Sequence, residues 1–180
     1  MFIVELEKPI NDTISTKSGI ELYINTEYEG GEFAYRVTDG PVIATPAKYK
    51  TPVKKGDTLY FHHLVVMQGG QKLTDIENSY FVKFDPKFAV NSQAIAYKNK
   101  NGKITPLDGW ALLLPVEEEE KDDGVIEVVT LKDNLPTKGL VAFDSKHLKA
   151  YGLKKGDVVG FKQNRDYRIK IDGKEYYRTR

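Results

Sequence analysis

"TPVKKGDTLYFHH", residues 51–63, returns as "YGLKKGDVVGFKQ", residues 151–163. Val53/Leu153, Lys54/Lys154, Lys55/Lys155, Gly56/Gly156, Asp57/Asp157 and Phe61/Phe161 stand in register at an offset of 100. Glycine supplies the permissive backbone angles of a tight turn and aspartate bonds its neighbouring amides, so KKGD reads as a turn. The β-branched and aromatic run behind each copy reads as a strand.

Working outward, the two halves keep matching. "GPVIAT" from Gly40 faces "GLVAFD" from Gly139, and "DIENSYFVKF" from Asp75 faces "KIDGKEYYRT" from Lys170. The opening run "FIVELE" faces "WALLLPVEE" from Trp110, and "SGIELYI" from Ser18 faces "DGVIEVV" from Asp123. The order of landmarks is kept while their spacing drifts, as in a duplicated unit with loop insertions. "KNKNGK" at 98–103 has the asparagine and glycine of a hairpin or linker, which places the division near Lys100. Two all-β units follow, 1–100 with an expanded C-terminal part and 101–180, and "SKHLKAYG" from Ser145 supplies at most one helical turn.

Composition narrows the function classes. Lys and Arg number 27 against 26 Asp and Glu, so no strong field recruits nucleic acid or an anionic membrane. Without cysteine the chain has no disulfide, thiolate metal site or cysteine nucleophile. "MFIVELEKPI" is charged too early for a secretory signal, and no apolar run approaches the roughly 20 residues that span a bilayer.

Catalytic chemistry is also missing. His62 and His63 are adjacent, and on a strand their side chains would point to opposite faces, a poor arrangement for one metal. There is no G-x-S-x-G, P-loop or G-x-G-x-x-G, so no enzyme and no cofactor is expected. "EEEEKDD", residues 117–123, lacks the alternation and turning glycine of a calcium loop and reads as a solvated acidic loop. In "EYYRTR", Tyr176 and Tyr177 beside Arg178 and Arg180 offer a stacking surface for single-stranded nucleic acid, against the plainer reading of strand-face packing.

Taken in order, "ITPLDGWALLLPVEEEEKDDGVIEV" (104–128), "TKGLVAF", "LKKGDVVGF" and "KIDGKEYY" resemble the GroES co-chaperonin family: its opening strand, charged loop, glycine with an aliphatic triplet, G-x-V strand and V-x-x-G-D turn. The resemblance covers nearly all of the second unit; "FIVELE", "TKSGIELYI", "GPVIAT" and "VKKGDTLYF" carry it more loosely through the first. It implies two tandem GroES-like small β-barrels, in a layout similar to the two-domain co-chaperonins of plastids or to divergent co-chaperonins of tailed bacteriophages. The implied activity is that of a non-enzymatic lid. Its implied partners are an ATP-driven GroEL-type chaperonin ring, a folding client and further copies of the chain in a homo-oligomeric ring. The implied location is the cytoplasm, that of the host for a phage protein, with the plastid stroma as the other compartment this layout allows. Only "PAKYKTP" and "DSKHLKAYG" separate the G-x-V strands from the KKGD turns, too short for the family's roof hairpin.

In that family a mobile loop docks an aliphatic triplet into a groove of the chaperonin. The resemblance carries the triplet onto Ile20, Glu21 and Leu22 after Gly19, and in the second unit onto Val125 and Ile126 after Gly124. Glu21 departs from the family's aliphatic middle residue, but on an extended segment it points away from the face that Ile20 and Leu22 share. Burial of two aliphatic anchors supplies about 3–6 kcal/mol, against about 1–2 kcal/mol for each loop residue ordered, so only a ring of many loops binds firmly. The competing readings are a half-buried strand with Ile20, Leu22 and Ile24 on its inner face, and a structural or virion-associated protein that keeps the duplicated barrel without chaperonin contact.

Overall fold

The computed structural model describes residues 1–23, 35–66, 78–116, 137–162 and 167–180, in two compact units, Met1–Gly109 and Trp110–Arg180. Among the described residues the protein is mostly strand, with a single five-residue α-helix. The first unit contains β1 (Phe2–Glu5), β2 (Thr13–Ser15), β3 (Glu21–Tyr23), β4 (Asp39–Ala44), β5 (Thr58–Phe61), β6 (Ser79–Val82), β7 (Ala94–Lys98) and β8 (Ile104–Pro106). The second contains β9 (Ala111–Pro115), β10 (Lys138–Val141), α1 (Lys146–Ala150), β11 (Val158–Gly160), β12 (Tyr167–Ile171) and β13 (Lys174–Thr179).

The repeat of the sequence is a repeat of hydrogen bonds. In the first unit Asp57 Oδ2 accepts the Lys54 N–H at 2.8 Å, and Asp57 N–H returns to Lys54 O at 3.1 Å. Gly56 N–H donates to Val42 O at 2.8 Å, Val42 N–H to Asp57 O at 2.9 Å and Phe61 N–H to Thr38 O at 2.7 Å. The second unit repeats all five: Lys154 N–H to Asp157 Oδ2 at 2.9 Å, Asp157 N–H to Lys154 O at 3.2 Å, and Gly156, Val141 and Phe161 N–H to Val141, Asp157 and Thr137 O at 2.9, 2.8 and 2.8 Å. Gly56 and Gly156 take φ of +86° and +96°, angles that side-chain-bearing residues avoid, which is why both turns carry glycine.

Strand pairing extends the equivalence to whole sheets. β4 pairs with β5 through Gly40↔Leu59, and β10 with β11 through Gly139↔Val159. Val4 lies opposite both Val42 and Tyr80, just as Leu113 lies opposite both Val141 and Tyr177. The order β6-β1-β4-β5 of the first sheet is therefore the order β13-β9-β10-β11 of the second. The first sheet adds β7 and β8 beyond β5; the second adds β12 beyond β13. Among the described residues neither sheet closes on itself.

The two cores use matching positions. Phe2, Val4, Val42, Val53, Leu59, Phe61 and Tyr80 pack together in the first unit, with further help from Leu6, Val65, Val66, Val82, Ala94 and Leu107. Ala111, Leu113, Val141, Leu153, Val159, Phe161 and Tyr177 occupy the same places in the second, joined by Leu148 of α1. The pairing refines the alignment made from sequence at both ends. Phe2 corresponds to Ala111 and not to Trp110, and Tyr80 to Tyr177 and not to Glu175. In a strand a slip of one residue exchanges faces while a slip of two preserves them, so only the first changes which side chains are read as core.

"SKHLKAYG" forms α1, capped by the Ser145 hydroxyl, which accepts the Leu148 N–H at 3.1 Å. "KNKNGK" is a hairpin turn: Asn99 Oδ1 accepts the N–H groups of Asn101 and Lys103, and Ile104–Pro106 pairs back onto β7. This pairing keeps 101–109 with the first unit and moves the division from Lys100 to Gly109. At His62 the chain has left β5, so strand alternation no longer applies; the His62 and His63 rings lie 4.2 Å apart, and His62 Nδ1 accepts the Leu64 N–H.

Because Asp57 is buried and holds an amide, Asp57→Ala is expected to destabilise the first unit by about 1–3 kcal/mol. Asp157→Ala, at a half-buried position, is expected to cost the second unit less. Urea titration followed through resolved amide signals of each unit separates the two effects.

Candidate functional site

The segment singled out as an anchor loop is the second strand of a separate hairpin. β2 and β3 pair only with each other, through Thr13↔Tyr23, Ile14↔Leu22 and Ser15↔Glu21. "TKSG" turns between them: Gly19, at φ +81°, donates its N–H to Thr16 O at 3.0 Å, and Thr16 N–H donates to Ile20 O at 2.8 Å. Thr16 Oγ1 accepts the Ile20 N–H at 3.0 Å and lies 2.9 Å from Ser18 Oγ. Below the hairpin, the Ile10–Arg36 bridge and the bonds Asn11 N–H to Tyr35 O and Val37 N–H to Pro9 O tie its base down. Lys8 Nζ adds a bond to Thr13 Oγ1 at 2.7 Å.

Alternation gives this hairpin one aliphatic face. Ile14 and Leu22 are direct cross-strand partners, and Ile20 lies two residues before Leu22 on the same side; Ser15 and Glu21 take the other side. Ile14, Ile20 and Leu22 are 57%, 60% and 54% exposed, so the half-buried inner face expected of a plain core strand is not formed by them. Tyr23, on the opposite face, is 81% exposed. A cluster of three aliphatic side chains held in water by a hydrogen-bonded turn lowers the ordering cost of a later contact, because the backbone is already extended.

Sequence reasoning missed Ile14. Its segment, "KPINDTIS", carries no strand signature by itself; the signal was the alternation of "TIS" mirrored across "TKSG" in "IEL". Of the other candidates, Gly124, Val125 and Ile126 lie outside the described residues, as does Ile24. Among the described residues no group of three or more metal-ligating side chains occurs, and no helix is long and apolar enough to cross a membrane.

The C-terminal aromatic and basic run resolves into packing. Tyr177 belongs to the second core, and buried Tyr176 lies 5.3 Å from the Phe143 ring, so neither is presented for stacking with a base. Burial lowers the pKa of Arg178 to about 10, with the charge of Arg180 acting in the same direction, and its guanidinium sits 5.6 Å from the Tyr167 ring.

The hairpin turn makes a local prediction. Gly19→Ala forces an L-residue into the left-handed region, at a cost of about 1–2 kcal/mol. An isolated two-stranded hairpin is marginal in water, so amide protection at Ile20 and Leu22 is expected to fall while global stability hardly moves. Hydrogen exchange read residue by residue checks both parts. Comparison with protein-family models, with curated proteins and with solved structures found no match.

Proposed function

We propose that the protein is a co-chaperonin: a non-enzymatic lid, built of two GroES-like small barrels, that docks on an ATP-driven chaperonin ring and encloses a folding client. The observation that carries this reading is the exposed aliphatic face of Ile14, Ile20 and Leu22 on a hairpin outside the main sheet. The duplicated order β6-β1-β4-β5 and β13-β9-β10-β11, each built around a KKGD turn, supports a tandem of like units.

Physical chemistry favours a multivalent contact. Three aliphatic anchors yield about 4.5–9 kcal/mol on full burial, before the losses of association are deducted. A single hairpin therefore binds weakly, and a ring of identical chains binds firmly through effective concentration. Firm yet reversible capping is what a lid on a cycling ring needs. Refolding of a chemically denatured, chaperonin-dependent client tests the reading. With ring and ATP present, adding the protein is expected to raise the yield of active client; a yield unchanged by its addition favours a structural protein that keeps the duplicated fold without chaperonin contact.

A further inference from the structure

We propose that the KKGD turn of the first unit is a binding site for a small polyphosphate-bearing ligand, a role that its copy in the second unit does not share. A cleft of about 520 Å³ lies beside this turn, lined by Lys54, Lys55, Asp57, Tyr97, Lys100 and the Asn99–Asn101 turn. Its size falls within the range of small-molecule sites. Three lysines line it with one acidic residue, Asp57, whose carboxylate is already engaged by the Lys54 N–H. The lining thus carries a surplus of positive charge, which suits a ligand with several negative oxygens.

The second copy of the turn shows what the first lacks. Lys155 N–H donates to Asp144 Oδ1 at 2.8 Å, so the second unit seats one of its own carboxylates on the turn. Asp144 lies three residues beyond Val141; three residues beyond the equivalent Val42 stands Thr45, which has no charge to offer. Among the described residues the Lys55 N–H has no protein partner. The first turn is the same anion seat without its built-in anion.

The wall of the cleft is also particular to the first unit. β7 and β8 extend that sheet beyond β5, whereas β11, the counterpart of β5, ends the second sheet. The β7–β8 turn brings Lys100 across the glycine: a Cβ added at Gly56 would meet Lys100 Cε at 3.2 Å and Nζ at 3.6 Å. A Cβ added at Gly156 would meet nothing within 4 Å. The extra hairpin therefore converts a common turn into a three-lysine cleft. This inference is independent of the aliphatic hairpin and of any chaperonin.

Pyrophosphate and ATP are the probes, titrated at low salt into the full-length protein and followed by amide chemical shifts and calorimetry. A saturable shift centred on Lys55, Gly56 and Lys100 is expected for pyrophosphate; additional shifts at Tyr97 with ATP would identify a nucleotide in place of a bare polyphosphate. Thr45→Asp, which supplies the carboxylate found in the second unit, is expected to weaken binding at least about tenfold, and Lys100→Gln by a similar factor. The paired change Lys154→Gln and Lys155→Gln is expected to leave binding unaltered. Both Thr45 and Lys100 are exposed, so folding is retained. No saturable shift with either probe, equal shifts at the two KKGD turns, or binding indifferent to Thr45→Asp overturns the proposal.

Discussion

Replacing Ile20 by aspartate is expected to abolish nucleotide-dependent association with a chaperonin ring while leaving unfolding within about 0.5 kcal/mol of wild type. The side chain is 60% exposed, so the fold loses little when it goes. Docking loses much more. Each aliphatic anchor contributes about 1.5–3 kcal/mol, and a carboxylate carried into an apolar groove adds a desolvation cost. Every chain of a ring would bear the change, so the losses accumulate over the assembly. Leu22→Asp and Ile14→Asp are expected to behave alike, because Ile14 pairs across the hairpin with Leu22 and Ile20 stands two residues before Leu22 on the same side. Glu21→Ala, on the other face, is expected to be nearly neutral. Circular dichroism melts together with co-sedimentation separate stability from binding. Full retention of binding by Ile20→Asp would remove the hairpin from the docking surface.

The second large effect concerns stability and uses the repeat as its own control. Phe61→Ala is expected to cost the first unit about 3–5 kcal/mol, since the ring is fully buried in the core with Phe2, Leu59 and Val82. Phe161 stands at the same place after its KKGD turn, with its N–H bonded in the same way, but is only half-buried at the margin of its core. Phe161→Ala is therefore expected to cost roughly half as much. Urea titrations read from amide signals in each unit give the two costs separately. Equal costs would mean that burial around the turn is not what distinguishes the units.

The KKGD copies were legible because they are fixed by local chemistry. A glycine at positive φ and an aspartate capping its own turn leave the same letters wherever the structure recurs. The strands beside them were legible too, since Val42, Leu59 and Phe61 match Val141, Val159 and Phe161 at almost constant offsets. Alignment failed where chemistry is less specific. In the first strand Trp110 looks like the better match to Phe2, yet pairing of Leu113 with Val141 gives that place to Ala111. In the last strand the tyrosine repeat of "EYY" permits more than one register, and pairing puts Tyr177 opposite Leu113.

Legibility of the candidate site was partial. Gly19, Ile20, Glu21 and Leu22 stand together in the sequence, and Gly19 takes φ of +81°. What the sequence did not display was the partner strand, because three residues carry no periodicity by themselves and Ile14 gains its meaning only from the cross-strand position of Leu22. The basic cleft was equally hidden. Lys54 and Lys55 read as ordinary turn lysines until β7 and β8 fold Lys100 over Gly56.

Co-sedimentation of the wild-type protein with a bacterial-type GroEL ring, with and without ATP, tests the proposed lid role directly. The ring is expected to capture the protein when ATP is present and to release it when nucleotide is withdrawn. A protein left in the supernatant under both conditions would contradict that role.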